Sequence, residues 1–149
     1  MNELLVRAFE DNDRKSVIAL WRNCGLVVPQ NSPDADIDNK LRVDRDLFLV
    51  ALDNEGLVAT VMGGYEGHRG WVNYLAVDRE KRGLGYGKRI MAAVEALLKR
   101  KGCPKINLQV RSSNAEVVAF YRTLGYTMDD VVSLGKRLDT AHRDIKAVN

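Results

Sequence analysis

Residues 82–88 read R-G-L-G-Y-G-K. Three glycines fall at alternate positions, after a run with strand character (residues 71–77) and before one with helix character (residues 90–98). Glycine permits positive φ and carries no Cβ, so a ligand can come close to the main chain. A helix N-terminus leaves about four N–H groups unpaired and carries roughly half a positive charge. A phosphate or pyrophosphate fits such a place. Arg82 and Lys88 add cations on either side.

Three known phosphate patterns fail on this segment. A P-loop counted back from Gly87-Lys88 needs glycine where Arg82 stands and Ser or Thr where Arg89 stands. A dinucleotide fingerprint needs its third glycine at Lys88 or Ile90, and an acid near position 107, which is Asn. The kinase loop has the same glycine spacing and fails with it. A turn kept only for close strand–helix packing is the plain alternative, but one glycine would suffice for that.

Working outward, residues 4–9 read as a strand, and Asp11, Asn12 and Asp13 offer helix N-caps. Val17, Leu20, Trp21 and Cys24 recur at helical spacing, which makes Trp21 and the Cys24 thiol core residues, and Gly25 stops the helix. Ser32-Pro33 is an N-cap followed by proline at the first helical position. Two apolar strands, 47–52 and 57–62, are joined by the turn D-N-E-G, and E-G-H-R-G leads into the strand at 71–77. The helix after the glycines buries Ile90, Met91, Val94, Leu97 and Leu98. Alternation over 106–110 predicts a half-buried strand. A helix from Ser113 or Asn114 to Gly125 and a last strand over 131–138 follow, then a polar tail, 139–149, expected to fray. The order β-α-α-β-β-β-α-β-α-β describes an α+β domain, a mixed sheet with helices on its faces.

Composition narrows the classes. The chain has 149 residues, the size of one domain, so 1–149 is expected to be a single unit with its core over about 4–138. A net charge of +3, with cations scattered, argues against nucleic acid as a partner. Two cysteines without C-x-x-C and two isolated histidines give no metal-ligand spacing, so no metal is expected. No apolar run reaches membrane length and the start has no signal-peptide character, which predicts a cytoplasmic protein without a membrane partner.

A fourth phosphate pattern, [RQ]-x-x-G-x-[GA], is met in full by Arg82-Gly83-Leu84-Gly85-Tyr86-Gly87. With Y-L-A-V-D before it, the segment resembles the acyl-CoA-binding motif of the GNAT superfamily of N-acetyltransferases. Residues 114–126, N-A-E-V-V-A-F-Y-R-T-L-G-Y, are similar to that family's N-x-x-A-x-x-F-Y-x-x-x-G-F segment, with the alanine displaced by one place, at Ala115 and Ala119. The resemblance covers about residues 4–138. It implies a mostly antiparallel sheet with helices on both faces, and acetyl-CoA as cosubstrate. Main-chain groups of Leu75 and Val77 would bind the pantetheine arm like an added strand, and the Val77 amide would polarise the thioester carbonyl. Arg82, Gly83, Leu84, Gly85, Tyr86, Gly87 and Lys88 would hold the pyrophosphate, with Asn114 as a further cofactor contact.

Acetyl transfer to an amine needs a grip on CoA, an unprotonated nitrogen, a donor for the carbonyl oxygen and an acid for the departing thiolate. By the resemblance, Tyr121 is the acid; it lies seven positions after Asn114, on the same helix face. Some members carry a glutamate at the start of the strand before the glycine loop. Here W-V-N-Y stands there, so Glu66 and His68 in the preceding turn are the substitute bases, with Tyr74 or water at Asn73 as other routes. The acceptor amine, on a small molecule or a protein, is expected beside residues 26–44, where Asp34, Asp36 and Asp38 offer negative charge. The alternative is a module of the same fold that binds acyl-CoA without turnover; the missing strand glutamate favours it and Tyr121 opposes it. Oligomeric state, a homodimer included, is left open.

Overall fold

Residues 48–53, F-L-V-A-L-D, are an almost unbroken apolar run, which suits a strand covered on both faces. A computed structural model describes residues 3–139 and forms them into strand β2 (Phe48–Asp53), with its first four residues buried. Around it lie β1 (Leu5–Ala8), β3 (Gly56–Tyr65), β4 (Gly70–Val77) and β5 (Ile106–Asn107). The sheet order is β1-β2-β3-β4-β5, antiparallel except for the parallel β4–β5 pair. The helices are α1 (Arg14–Asn23), α2 (Pro33–Leu41), α3 (Tyr86–Arg100) and α4 (Ala115–Thr123). This is the expected α+β class.

The chain divides after Gln109 into two compact units. In the first, side chains alternate across the strands. One face presents Phe48, Val50, Met62 and Ala76 to Val17, Leu20 and Trp21 of α1 and Ile37 of α2. Phe9 stacks on Phe48 with centroids 4.6 Å apart. The other face receives α3: a Cβ added at Gly63 would stand 2.7 Å from the Val94 Cγ2, so only glycine lets β3 and α3 approach this closely. Ser32 caps α2 as expected, its hydroxyl accepting from the Ala35 amide at 3.2 Å, with Pro33 in the first turn. Asp13 acts differently from the expected cap. Its carboxylate turns back to accept from the Glu10 amide (2.8 Å) and from both Arg7 nitrogens (2.7 and 3.0 Å). The Arg7 hydrogen bond is the main cause that holds the Asp13 pKa below its ordinary value.

The second unit contains α4, whose N-cap Asn114 accepts from the Val117 amide through its side chain at 3.3 Å. Two sequence expectations fail here and at the boundary. The strand expected over 106–110 is two residues long. The last strand, expected over 131–138, does not form among the described residues. Val131 and Val132 stand side by side and Gly135 interrupts the run, so strict alternation is missing; Val131, Val132, Leu134 and Leu138 are exposed. A strand also needs a partner ladder. The tail from residue 140 on lies outside the described residues. Among those described, no helix is long and apolar enough to cross a membrane.

Candidate functional site

After β4, the Asp78 carboxylate accepts from the Glu80 amide at 3.0 Å and turns the chain toward the glycine loop. Gly83 and Gly85 have φ of +83° and +81°. Gly85 is the N-cap of α3 and supplies no side-chain cap, and the first turn holds no acid. A Cβ at either glycine would meet nothing within 4 Å. Packing therefore does not require these glycines. They allow the left-handed turns and leave open space over uncapped amides. Lys88 and Leu84 are exposed beside them. Tyr86 is different: its ring is buried and its hydroxyl donates to the Asp53 carboxylate at 3.1 Å, so only its main chain faces the loop.

The Asp78 amide donates to the Val58 carbonyl at 2.8 Å. With Ala59 opposite Val77, this is the non-hydrogen-bonded pairing. The Val77 N–H and C=O thus point away from β3, toward an edge that β5 pairs only at Gly70 and Trp71. The Val77 carbonyl accepts from Arg82 Nε and from the Cys24 thiol, each at 3.3 Å. Cys24 is accordingly a half-buried thiol at the strand end as well as a core neighbour; burial pushes its pKa up, with Arg82 opposing.

Upstream, Tyr74 and Leu75 together oppose Val61, a bulge in β4. Tyr74 has φ of +52°, a left-handed value that glycine normally supplies at the first position of such a bulge. Three sets of contacts hold it. Thr60, fully buried, donates through its hydroxyl to the Tyr74 carbonyl at 2.9 Å and accepts from Trp21 Nε1 at 2.9 Å. The Tyr74 ring stacks on Trp21 at 4.0 Å. Its hydroxyl donates to Asp36 Oδ2 at 2.5 Å and accepts from Asn31 Nδ2 at 2.8 Å. Burial and then Asp36 push the Tyr74 pKa up to about 12, so this phenol keeps its proton.

The three acids of α2 part company. Asp34 and Asp38, one turn apart, pair with Arg14 at 3.1 and 2.7 Å, while Asp36 turns to β4. Glu66 accepts from the main-chain amides of His68 and Arg69, which lowers its pKa and makes it the brace of its own turn. That turn and Val77 lie at opposite ends of β4, roughly 23 Å apart at strand rise. In the second unit, Tyr121 is 8% exposed and packs edge-on against Tyr126. Its hydroxyl makes no hydrogen bond among the described residues, and burial pushes its pKa up to about 12. Asn31, Thr60 and the Cys24–Val77 contact had no sequence signal; helical spacing told that Trp21 is buried, not where its N–H points.

Comparison with known proteins shows the family and the fold. The chain matches the Acetyltransferase (GNAT) family over residues 5–126. It is 46% identical over 133 residues to an acetyltransferase of Pectobacterium atrosepticum, covering 89% of this chain and 94% of that one. An acetyltransferase of Yersinia pestis is 44% identical over the same share of both chains. The fold is similar to that of aminoglycoside N-acetyltransferase AAC(6')-Iy solved in complex with CoA, with TM-score 0.77, 15% identity, and 93% and 97% of the two chains covered. The open glycine loop at the head of α3 and the bulged strand before it are thus parts of an acyltransferase, and the chain belongs to the GNAT acetyltransferase family.

Proposed function

We propose that the protein transfers an acetyl group from acetyl-CoA to a primary amine by direct attack, as a cytoplasmic enzyme in which residues 4–138 act as one catalytic domain. The observation that carries this is the loop 82–88: uncapped amides, left-handed glycines with free space above them, and flanking cations. These features fit a pyrophosphate. The family match, running from residue 5 to 126, includes both compact units, which favours a shared role.

In this reading Gly83, Gly85 and the main chain of Leu84, Tyr86 and Gly87 cradle the pyrophosphate, with Arg82 and Lys88 supplying charge. Leu75 and the outward N–H of Val77 take the pantetheine arm and the thioester oxygen, and Asn114 adds a contact through its amide. The acetyl-CoA supplies an activated acyl group. As the C–N bond forms and the C–S bond breaks, Tyr121 gives the thiolate its proton; its phenol is protonated at neutral pH and has no committed acceptor among the described residues, which leaves that proton available. Glu66 or His68 takes the amine's proton through water, since the length of β4 excludes direct contact with the region of Val77.

The test is thermal melting with acetyl-CoA, CoA, NADH and ATP after removal of co-purified ligand. A ligand at about 100 times its Kd adds roughly 2.7 kcal/mol, several degrees for a chain of this length. Stabilisation by the CoA compounds alone, followed by amine-dependent thiol release, is the expected outcome. Stabilisation without turnover for any amine would favour the sensing module, and no shift with CoA would end the reading.

A further inference from the structure

Asp36 stands apart from the other acids of its helix. Arg14 neutralises Asp34 and Asp38. Lys40, one turn beyond Asp36 and placed to pair with it, donates instead to the Gly63 carbonyl. No lysine or arginine among the described residues forms an ion pair with Asp36. A carboxylate accepts several hydrogen bonds, and among the described residues Asp36 takes one, from Tyr74. Asn31 donates to the same tyrosine oxygen, so the phenol is held from two sides and the carboxylate is fixed in direction. All three residues are half-buried, hence both oriented and reachable from solvent.

The place of this acid, on α2 beside the bulge of β4, gives it meaning. Tyr74 is the bulge residue directly before Leu75, whose main chain is assigned to the pantetheine arm. Asp36 therefore lies one tyrosine side chain away from the cofactor strand. The attacking nitrogen must be neutral, so a fixed carboxylate at this remove suits a charge that does not react. We propose that Asp36, oriented by Tyr74, binds a second, non-reacting ammonium group of the acceptor, and that the acceptor class is the aliphatic di- or polyamines. This rests on the acetyltransferase reading above. An acceptor with a carboxylate or phosphate beside its amine would meet Asp36 as a like charge and is disfavoured.

Calorimetric titration of the CoA-loaded protein tests this with putrescine against butylamine, which has the same carbon chain and one nitrogen fewer. Putrescine is expected to bind at least tenfold tighter, as a charge-assisted hydrogen bond commands. Asp36→Asn should erase the difference, and Asp34→Asn, which faces Arg14, should keep it. Equal binding of the two probes by the wild-type protein overturns the proposal, and that comparison stands even if the Asp36 variant does not fold. A preference unchanged in a folded Asp36→Asn protein also overturns it. Failure of CoA itself to bind would sink the function first and this inference with it; CoA binding without diamine preference sinks the inference alone.

Discussion

Thr60→Val removes a single oxygen from the middle of the sheet, and the structure sets what that costs. The Thr60 hydroxyl accepts from Trp21 Nε1 and donates to the Tyr74 carbonyl, both at 2.9 Å, with Thr60 and Trp21 fully buried. Valine fills the same shape, so no cavity opens. The loss is an orphaned indole donor, about 1–3 kcal/mol, and a hydrogen bond to a main-chain carbonyl, about 1 kcal/mol. The added methyl offsets about 0.8 kcal/mol. The net expectation is about 1–3 kcal/mol, or a fall of roughly 2–12 °C in Tm for a chain of this length. Function should suffer too. The left-handed Tyr74 persists because its surroundings over-determine it, and releasing its carbonyl lets the bulge relax and moves the Leu75 and Val77 amides. Urea unfolding at constant m, with CoA calorimetry on the same samples, reads both effects. Thr60→Ser should recover most of the loss. Stability within 0.5 kcal/mol of wild type together with unchanged CoA affinity would refute the reasoning, as would a serine variant as damaged as the valine one.

Other substitutions probe the remaining parts. Gly85→Ala places a Cβ at φ of +81° over the α3 amides; about 1–2 kcal/mol of stability should go, and CoA affinity should fall at least tenfold by calorimetry. Tyr121→Phe should lower kcat roughly a hundredfold and leave CoA affinity within about twofold, read by thiol release and calorimetry; full activity would remove the acid role. Stability should fall with alkali: Tyr74 and Tyr121 have folded pKa values of about 12 against 10 when unfolded. The unfolded chain loses its phenolic protons first, so the folded state is unaffected below pH 10 and loses ground from there to about pH 12. Urea titrations across that window check it, and Tyr121→Phe should flatten the slope.

Much of the fold was legible because it is written in short range. The left-handed turns at Gly83 and Gly85, the Ser32-Pro33 start of α2, and the stripe of Ile90, Met91, Val94 and Leu98 each depend on residues within a few positions, and each stands in the structure where the sequence placed it, whereas Gly87 lies inside the first turn of α3 and Leu97, expected in the stripe, is half-buried. The strand over 131–138 failed for the complementary reason: apolar character invites a strand, but pairing needs a ladder from elsewhere in the chain. The candidate site divides in the same way. Arg82 and the glycines follow from a local pattern. The bulge at Tyr74, the turning of Asp36 away from Arg14, and the meeting of Cys24 and Arg82 on the Val77 carbonyl join residues from 5 to 53 positions apart. Side-chain direction at such distances is set by which face each element buries, and that is decided only when helix and sheet pack together.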